Sequence, residues 1–246
     1  MWFERFDPRQ AARRAVEAAR REVGDHLRGA TLFGSVAAGE FDPAHSDVNI
    51  AFVFSRLGTT ELAALGRIYP TFRRCRVVKP LLLSEETLRR SLDAYPLEYL
   101  LIRERSETLH GLDYFGPLQF DREALRLEVE RVLRAQELGL GLSYVALAGS
   151  RGGARHWAIQ ASNAIAASAS GLLFLAGDLV PRERRVVAER CAALFGVDAS
   201  SFARLLMIRD RKHEPVEAVV LLDSALTILN RLLDSAERMT APAKNP

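Results

Sequence analysis

The hydrophobic pattern changes period several times in the first half of the chain and keeps a single period in the second. Asp7 followed by Pro8 reads as an N-cap and a first helical position. Ala11, Ala12, Val16 and Ala19 then supply small and apolar residues at near-helical spacing to about His26. An apolar run, Ala30–Phe33, stops at Gly34-Ser35, as a strand does on meeting a tight loop. A second run, Val48–Phe54, is β-branched and aromatic and apolar on both faces apart from Asn49, which predicts a strand inside a covered sheet.

A helix is expected from Thr59 to about Phe72, then a strand over Arg76–Leu83 that Pro80 demotes to an edge or a bulge. Ser84, with Glu85 and Glu86, caps another helix that ends before Pro96. The segment Leu97–His110 has no clear period; a last short strand is placed near Glu107–Leu109, closed by Gly111. From Asp121 the period is helical throughout, with helices expected over Arg122–Ala148, Arg155–Ala176, Pro181–Phe195, Ser200–Ile208 and Glu214–Arg238. Gly149, Gly152-Gly153, Gly177 and Gly196 punctuate them, while Gly139 and Gly141 fall inside the first. The fold class expected is α+β: a mixed sheet with flanking helices over residues 1–118, then an all-α bundle over 119–246. The tail Thr240–Pro246 is expected to fray.

Composition narrows this only slightly. Of 246 residues, 48% are hydrophobic and 26% charged, ordinary values that exclude disorder as the main state. Two cysteines exclude a disulfide framework or a four-cysteine zinc site, and the charged N-terminal stretch is no secretory signal, so a reducing cytoplasm is expected. His156–Gly177 carries no formal charge, but Gln160, Asn163 and several serines interrupt it, so a buried helix is expected and no membrane partner. Lysines occur only at 79, 212 and 244, so almost all of the 34 cations are arginines. Spread along the chain and balanced by 31 acids, they read as solvated helix faces, and a nucleic-acid partner is not expected.

The candidate chemistry lies in Thr31-Leu-Phe-Gly34-Ser35 and, about a dozen residues on, Ser46-Asp47-Val48-Asn49. At Gly34 the missing Cβ allows a ligand close to the backbone. Ser35 opens a short helix whose unpaired N–H groups favour phosphate. Asp47 and Asn49, two apart at the head of a strand, share a face and offer oxygen ligands to a Mg²⁺ carrying a nucleotide. This spacing resembles that of the nucleotidyltransferase superfamily typified by DNA polymerase β. The succession of the two halves resembles the kanamycin-type aminoglycoside nucleotidyltransferases, in which a helical domain follows the catalytic one.

The resemblance implies two Mg²⁺ ions held by three carboxylates, and transfer of a nucleoside monophosphate from an NTP to an acceptor hydroxyl. It implies that Gly34 and Ser35 contact the triphosphate and that Asp47 ligates metal. Two positions depart from the pattern: Asn49 replaces the second carboxylate, and the strand that should bring the third has no acid, with Lys79 at roughly that place as a possible phosphate-neutralising cation. Glu40, Asp42, Glu85 and Glu98 are the acids near enough in sequence to substitute. The set points to a nucleotide-binding or interaction protein with a degenerate metal site; an active nucleotidyltransferase acting on a small molecule or a protein is the alternative. The helical half could supply a homodimer surface. A lesser reading is a HEPN-type RNase using Arg151 and His156, with the glycines between them placing the motif in a loop or fraying helix start; Arg209–His213 is one residue too short.

Overall fold

The computed structural model describes residues 6–43, 46–147, 151–208 and 217–239, with backbone alone at 144, 146, 147, 151–154 and 218. The chain divides into two units, Met1–Leu92 with Tyr99–Gln119, and Asp93–Glu98 with Phe120–Pro246.

In the first unit, helix α1 (Pro8–Val23) starts as expected: the Asp7 carboxylate accepts from the backbone N–H groups of Arg9 and Gln10, and Pro8 fills the first helical position. Then follow β1 (Leu27–Phe33), the one-turn helix α2 (Ser35–Ala38), β2 (Asn49–Phe54), α3 (Thr59–Arg74), β3 (Leu81–Ser84), α4 (Glu85–Arg90), α5 (Pro96–Glu104), whose first turn through Glu98 is assigned to the second unit, and β4 (Ser106–Gly111). The sheet order is β3-β2-β1-β4, with β1 antiparallel to both neighbours and β2 parallel to β3. It is a mixed sheet with β2 inside and β3 at an edge, as the apolar run at β2 and Pro80 predict.

Both faces of β2 are buried beyond Asn49, and one of them packs on α1 and α3. Leu32, Ile50, Phe52 and Phe54 turn toward Ala12, Ala15 and Ala19 of α1 and Leu65 and Phe72 of α3, all buried. Alanines on α1 let its backbone approach the strands closely. Gly111 closes β4 at φ 67°, and a Cβ there would sit 1.9 Å from the Arg28 carbonyl oxygen, so only glycine permits the pairing.

The third strand differs from expectation. It begins at Leu81, because the chain leaves α3 through Arg76 at φ 59° and Pro80 has no N–H for the ladder. Arg76 is held there: its guanidinium lies 5.4 Å from the ring centroids of both Phe6 and Phe41 and donates to the Pro43 carbonyl at 2.6 Å. The ambiguous 97–110 segment resolves into the end of α5 and a β4 longer than expected.

At the far end of the sheet from that turn, the Glu61 carboxylate is 5% exposed as a residue and accepts from the Gly58 N–H at 2.9 Å and Arg56 Nε at 3.1 Å. These backbone bonds, then Arg56, hold its carboxyl below the usual range against the opposing effect of burial. A carboxylate with a depressed folded pKa contributes stability that is complete above the unfolded pKa and is lost as pH falls through the folded one. Glu61→Gln is therefore expected to lose less stability than the unaltered chain between about pH 7 and pH 3.5, read as the shift in urea midpoint.

The second unit is helical: α6 (Arg122–Leu147), α7 (Arg151–Leu175), α8 (Arg184–Phe195), α9 (Ala199–Leu206) and α10 (Ala218–Arg238). α6 passes through Gly139 and Gly141 unbroken. α7 starts four residues before the expected Arg155, so Arg151-Gly-Gly-Ala-Arg-His156 is helical and not a loop. The glycines fall in the first turn, where N–H groups have no intrahelical partner to lose. The segment Arg155–Leu175 is long and apolar enough to cross a membrane, but 67% of its window is buried inside the protein. It is a core helix: Ala158, Ala161, Ile165, Ala169, Leu172 and Leu173 are fully or nearly fully enclosed.

Arginine, not lysine, closes the helix ends here. Arg184 donates to the Leu206 carbonyl at 2.8 Å and to Asn163 Oδ1 at 2.6 Å, Arg155 to the Ile208 carbonyl at 3.0 Å, and Arg122 to the Leu175 carbonyl. The planar fork satisfies last-turn carbonyls that have no intrahelical donor. His45, Arg209–His213 and Thr240–Pro246 lie outside the described residues.

Candidate functional site

The pairing of β1 with β2 decides the geometry. Leu32 faces Ile50 in the α1/α3 core, so the next pair, Phe33 and Asn49, belongs to the opposite face. Val48 is 1% exposed and returns to the core, which leaves Asp47 and Asn49 on that same opposite face, with Asp47 exposed. Because the strands are antiparallel, the chain leaving β1 through Gly34 and the chain entering β2 through Asp47 meet at one end of the sheet.

Gly34 stands at φ 74°, ψ −149°, a region open to glycine and almost nothing else. A Cβ there would lie 2.7 Å from Asn49 Nδ2, so the amide rests directly against the turn. No side chain caps α2, and the N–H groups of Ser35, Val36 and Ala37 have no intrahelical acceptor. Gly34→Ala is expected to cost about 1–3 kcal/mol through the backbone. The side-chain collision is cheaper, because the amide can swing aside.

The third strand brings no acid to this face. The Val48 N–H donates to the Arg76 carbonyl at 3.0 Å, which in a parallel ladder pairs Val48 with Val77. Further along, Ala51 pairs with Leu81. Two residues of β2 therefore face three of the neighbouring segment, a one-residue bulge. Val77 is fully buried in the α1/α3 core and Val78 is 38% exposed, so Val78 turns to the face of Asn49 and Lys79 is the extra, exposed residue. The position across from Asn49 is a valine.

Of the other nearby acids, Glu85 and Glu107 are paired away from this face. Glu85 accepts from the Tyr114 hydroxyl, whose pKa is pushed up to about 12 by burial and by that carboxylate. The Asp42 carbonyl accepts from the Ser46 N–H at 2.8 Å while the Asp42 N–H donates to Ser46 Oγ at 3.1 Å, closing the expected turn. Glu98 belongs to the helical unit, and Glu40 is exposed. Glu107, on β4, lies on the α1 face and pairs with Arg9. Among the described residues, no group of three His, Cys, Asp or Glu side chains could hold a metal ion. The residues present do not fit a two-metal carboxylate cage. The Asp47 carboxylate, the Asn49 amide and a free helix start share this face, a set suited to phosphate and not to a divalent pair.

No protein-family model matches the chain, and no curated protein matches it. Among solved structures it is similar to spectinomycin adenyltransferase AAD(9) from Enterococcus faecialis, determined with ATP and spectinomycin. The identity is 12% and the TM-score 0.56, and the likeness covers 94% of this chain and 100% of that one. An agreement over nearly all of both chains at so low an identity is an agreement of fold. This chain has the nucleotidyltransferase fold, an α+β mixed sheet with flanking helices whose order in sequence precedes an all-α unit.

Proposed function

We propose that the protein binds a nucleoside triphosphate at the Gly34–Ser35 turn and does not turn it over by the two-metal route. The observation that carries this is the face shared by Asp47, Asn49 and Val78: one carboxylate where the resemblance implies three. In this reading the N–H groups at Ser35, Val36 and Ala37 receive phosphate oxygens, and the Ser35 hydroxyl adds a donor. Lys79, carried outward by the bulge, supplies a fixed positive charge where metal would otherwise neutralise the triphosphate. Asp47 keeps a single carboxylate that a Mg²⁺ already bound to the nucleotide can meet. Likeness of fold to an adenyltransferase solved with ATP supports a nucleotide as the ligand.

Calorimetric titration with ATP and GTP, with and without Mg²⁺, tests the reading when pyrophosphate release is followed in the same samples. Binding with only a few-fold dependence on Mg²⁺, and no pyrophosphate, is the expected result. Asp47→Asn should remove whatever Mg²⁺ dependence there is. Pyrophosphate release that an added aminoalcohol or protein acceptor stimulates would establish transfer instead, and with it an acidic ligand outside the set described above.

A further inference from the structure

We propose that the surface formed by α1 and α3 binds a single strand of nucleic acid along its phosphate backbone. α1 carries Arg9, Arg13, Arg14, Arg20 and Arg21, all exposed, and at about 100° per residue they fall within an arc of about 140° opposite the buried alanines. α3, packed beside it, adds Arg67, Arg73 and Arg74, also exposed. The two helices hold eight arginines and three glutamates, a net of +5, whereas the whole chain has a net of +3. The arginines look evenly spread in sequence; the fold gathers them on one side.

The acids of this surface are too few to satisfy it. Glu17 serves Arg20 and Arg21, Glu22 serves Arg67, Glu107 serves Arg9, and Glu61 is buried. Among the described residues no side-chain hydrogen bond or ion pair reaches the guanidinium of Arg13, Arg14, Arg73 or Arg74. Burial raises the pKa of the Cys75 thiol, and Arg14 on α1 and Arg74 on α3 oppose that rise. Between the helices runs a cavity of about 650 Å³, where Arg13, Arg14 and Arg21 stand with Glu17 and Glu22, both already paired with arginines, over a floor that includes Ile68.

The shape and lining of the cavity select the ligand. The cavity follows the seam between α1 and α3 and offers phosphate a single row of contacts. From Arg9 to Arg21 the helix rises about 18 Å, the run of about five phosphates at the 3.4 Å spacing of a stacked strand. A membrane surface is the other large polyanion. α1, which carries most of the arginines, exposes no Leu, Ile, Phe or Trp to enter it, and α3 exposes only Leu62 and Tyr69, short of the continuous apolar face an interfacial helix needs. This surface covers the α1/α3 face of the sheet, away from the face of Asp47 and Asn49, so the inference stands or falls independently of nucleotide binding.

The test is fluorescence anisotropy of the full chain with a labelled mixed-sequence 20-nucleotide RNA, repeated with the DNA strand of the same sequence and with vesicles rich in anionic lipid. Expected are binding at about 50 mM salt with similar affinity for either strand, and a log–log salt slope near −3, about −0.7 for each of four phosphate contacts. Replacing Arg13, Arg14, Arg73 and Arg74 together by Ala should weaken binding at least tenfold and flatten the slope. The fourfold Lys variant should stay within about threefold, since a point charge suffices for phosphate. Far-ultraviolet dichroism and the urea midpoint of both variants provide the folding control. Dissociation constants above about 10⁻⁴ M, an Ala variant that binds as before, equal losses in the Lys and Ala variants, or vesicle binding without strand binding would each overturn the proposal.

Discussion

The double variant Asn49→Asp/Val78→Glu is expected to bind Mn²⁺, in the presence of ATP, about a hundredfold more tightly than the unaltered chain, or about 2.8 kcal/mol. Asn49 already points at the Gly34 turn from the face it shares with Asp47, so exchanging its amide for a carboxylate adds a charge and a second oxygen without moving the backbone. Val78 stands at the same level of the neighbouring segment and is 38% exposed, so a glutamate there reaches the site without burying its charge. Asn49→Asp alone should give about a tenth of the effect, because two carboxylates on one strand still leave the cation open on its third side. The two changes touch the same ion and are expected to be more than additive. Adding Asp47→Asn to the double variant should undo the gain. Electron paramagnetic resonance of free Mn²⁺ reads all four proteins directly, without requiring turnover. A double variant that binds no better than Asn49→Asp would mean that Val78 does not face Asn49.

The order of elements was legible because short-range chemistry wrote it. Asp7-Pro8 caps a helix, the unbroken apolar run at Ile50–Phe54 belongs inside a sheet, and Pro80 belongs at its edge; all three hold in the structure. Helix starts were less accurate where glycine misled. Gly152 and Gly153 look like breakers, yet they sit in a first turn where their flexibility costs little. The third position of the site was hidden for a different reason. Counting along Arg76–Leu83 as one regular strand leads to Lys79, but the left-handed Arg76 and the bulge shift the level of Asn49 to Val78. No propensity signals an arginine at φ 59°; it is fixed by Phe6, Phe41 and the Pro43 carbonyl, contacts made at long range. The basic surface was hidden likewise, since it exists only when α1 and α3 lie side by side.

Phe52→Ala is expected to remove about 3–5 kcal/mol of stability, the largest single effect of any substitution considered. Phe52 is fully buried on β2, with its ring 5.6 Å from Phe72 on α3 at an interplanar angle of 12° and 6.4 Å from Phe54. Truncation empties the space between an inner strand and the helix that covers it, and close-packed neighbours relax only partly into such a cavity. Against a typical total of about 5–15 kcal/mol, the loss leaves the first unit marginal. Urea denaturation followed by far-ultraviolet dichroism measures it. Trp157, buried in the helical unit, reports that unit by fluorescence in a Trp2→Phe background. Phe52→Leu keeps most of the volume and should cost less than about 1.5 kcal/mol. It should also leave ATP affinity unchanged, because Phe52 faces α1 and α3, not Asp47. Gly34→Ala has the opposite profile, a smaller loss of stability with a loss of ATP affinity. If Phe52→Leu weakened ATP binding as much as Gly34→Ala, the phosphate turn would not be the site of binding, and the two faces of the sheet would not divide packing from ligand as described.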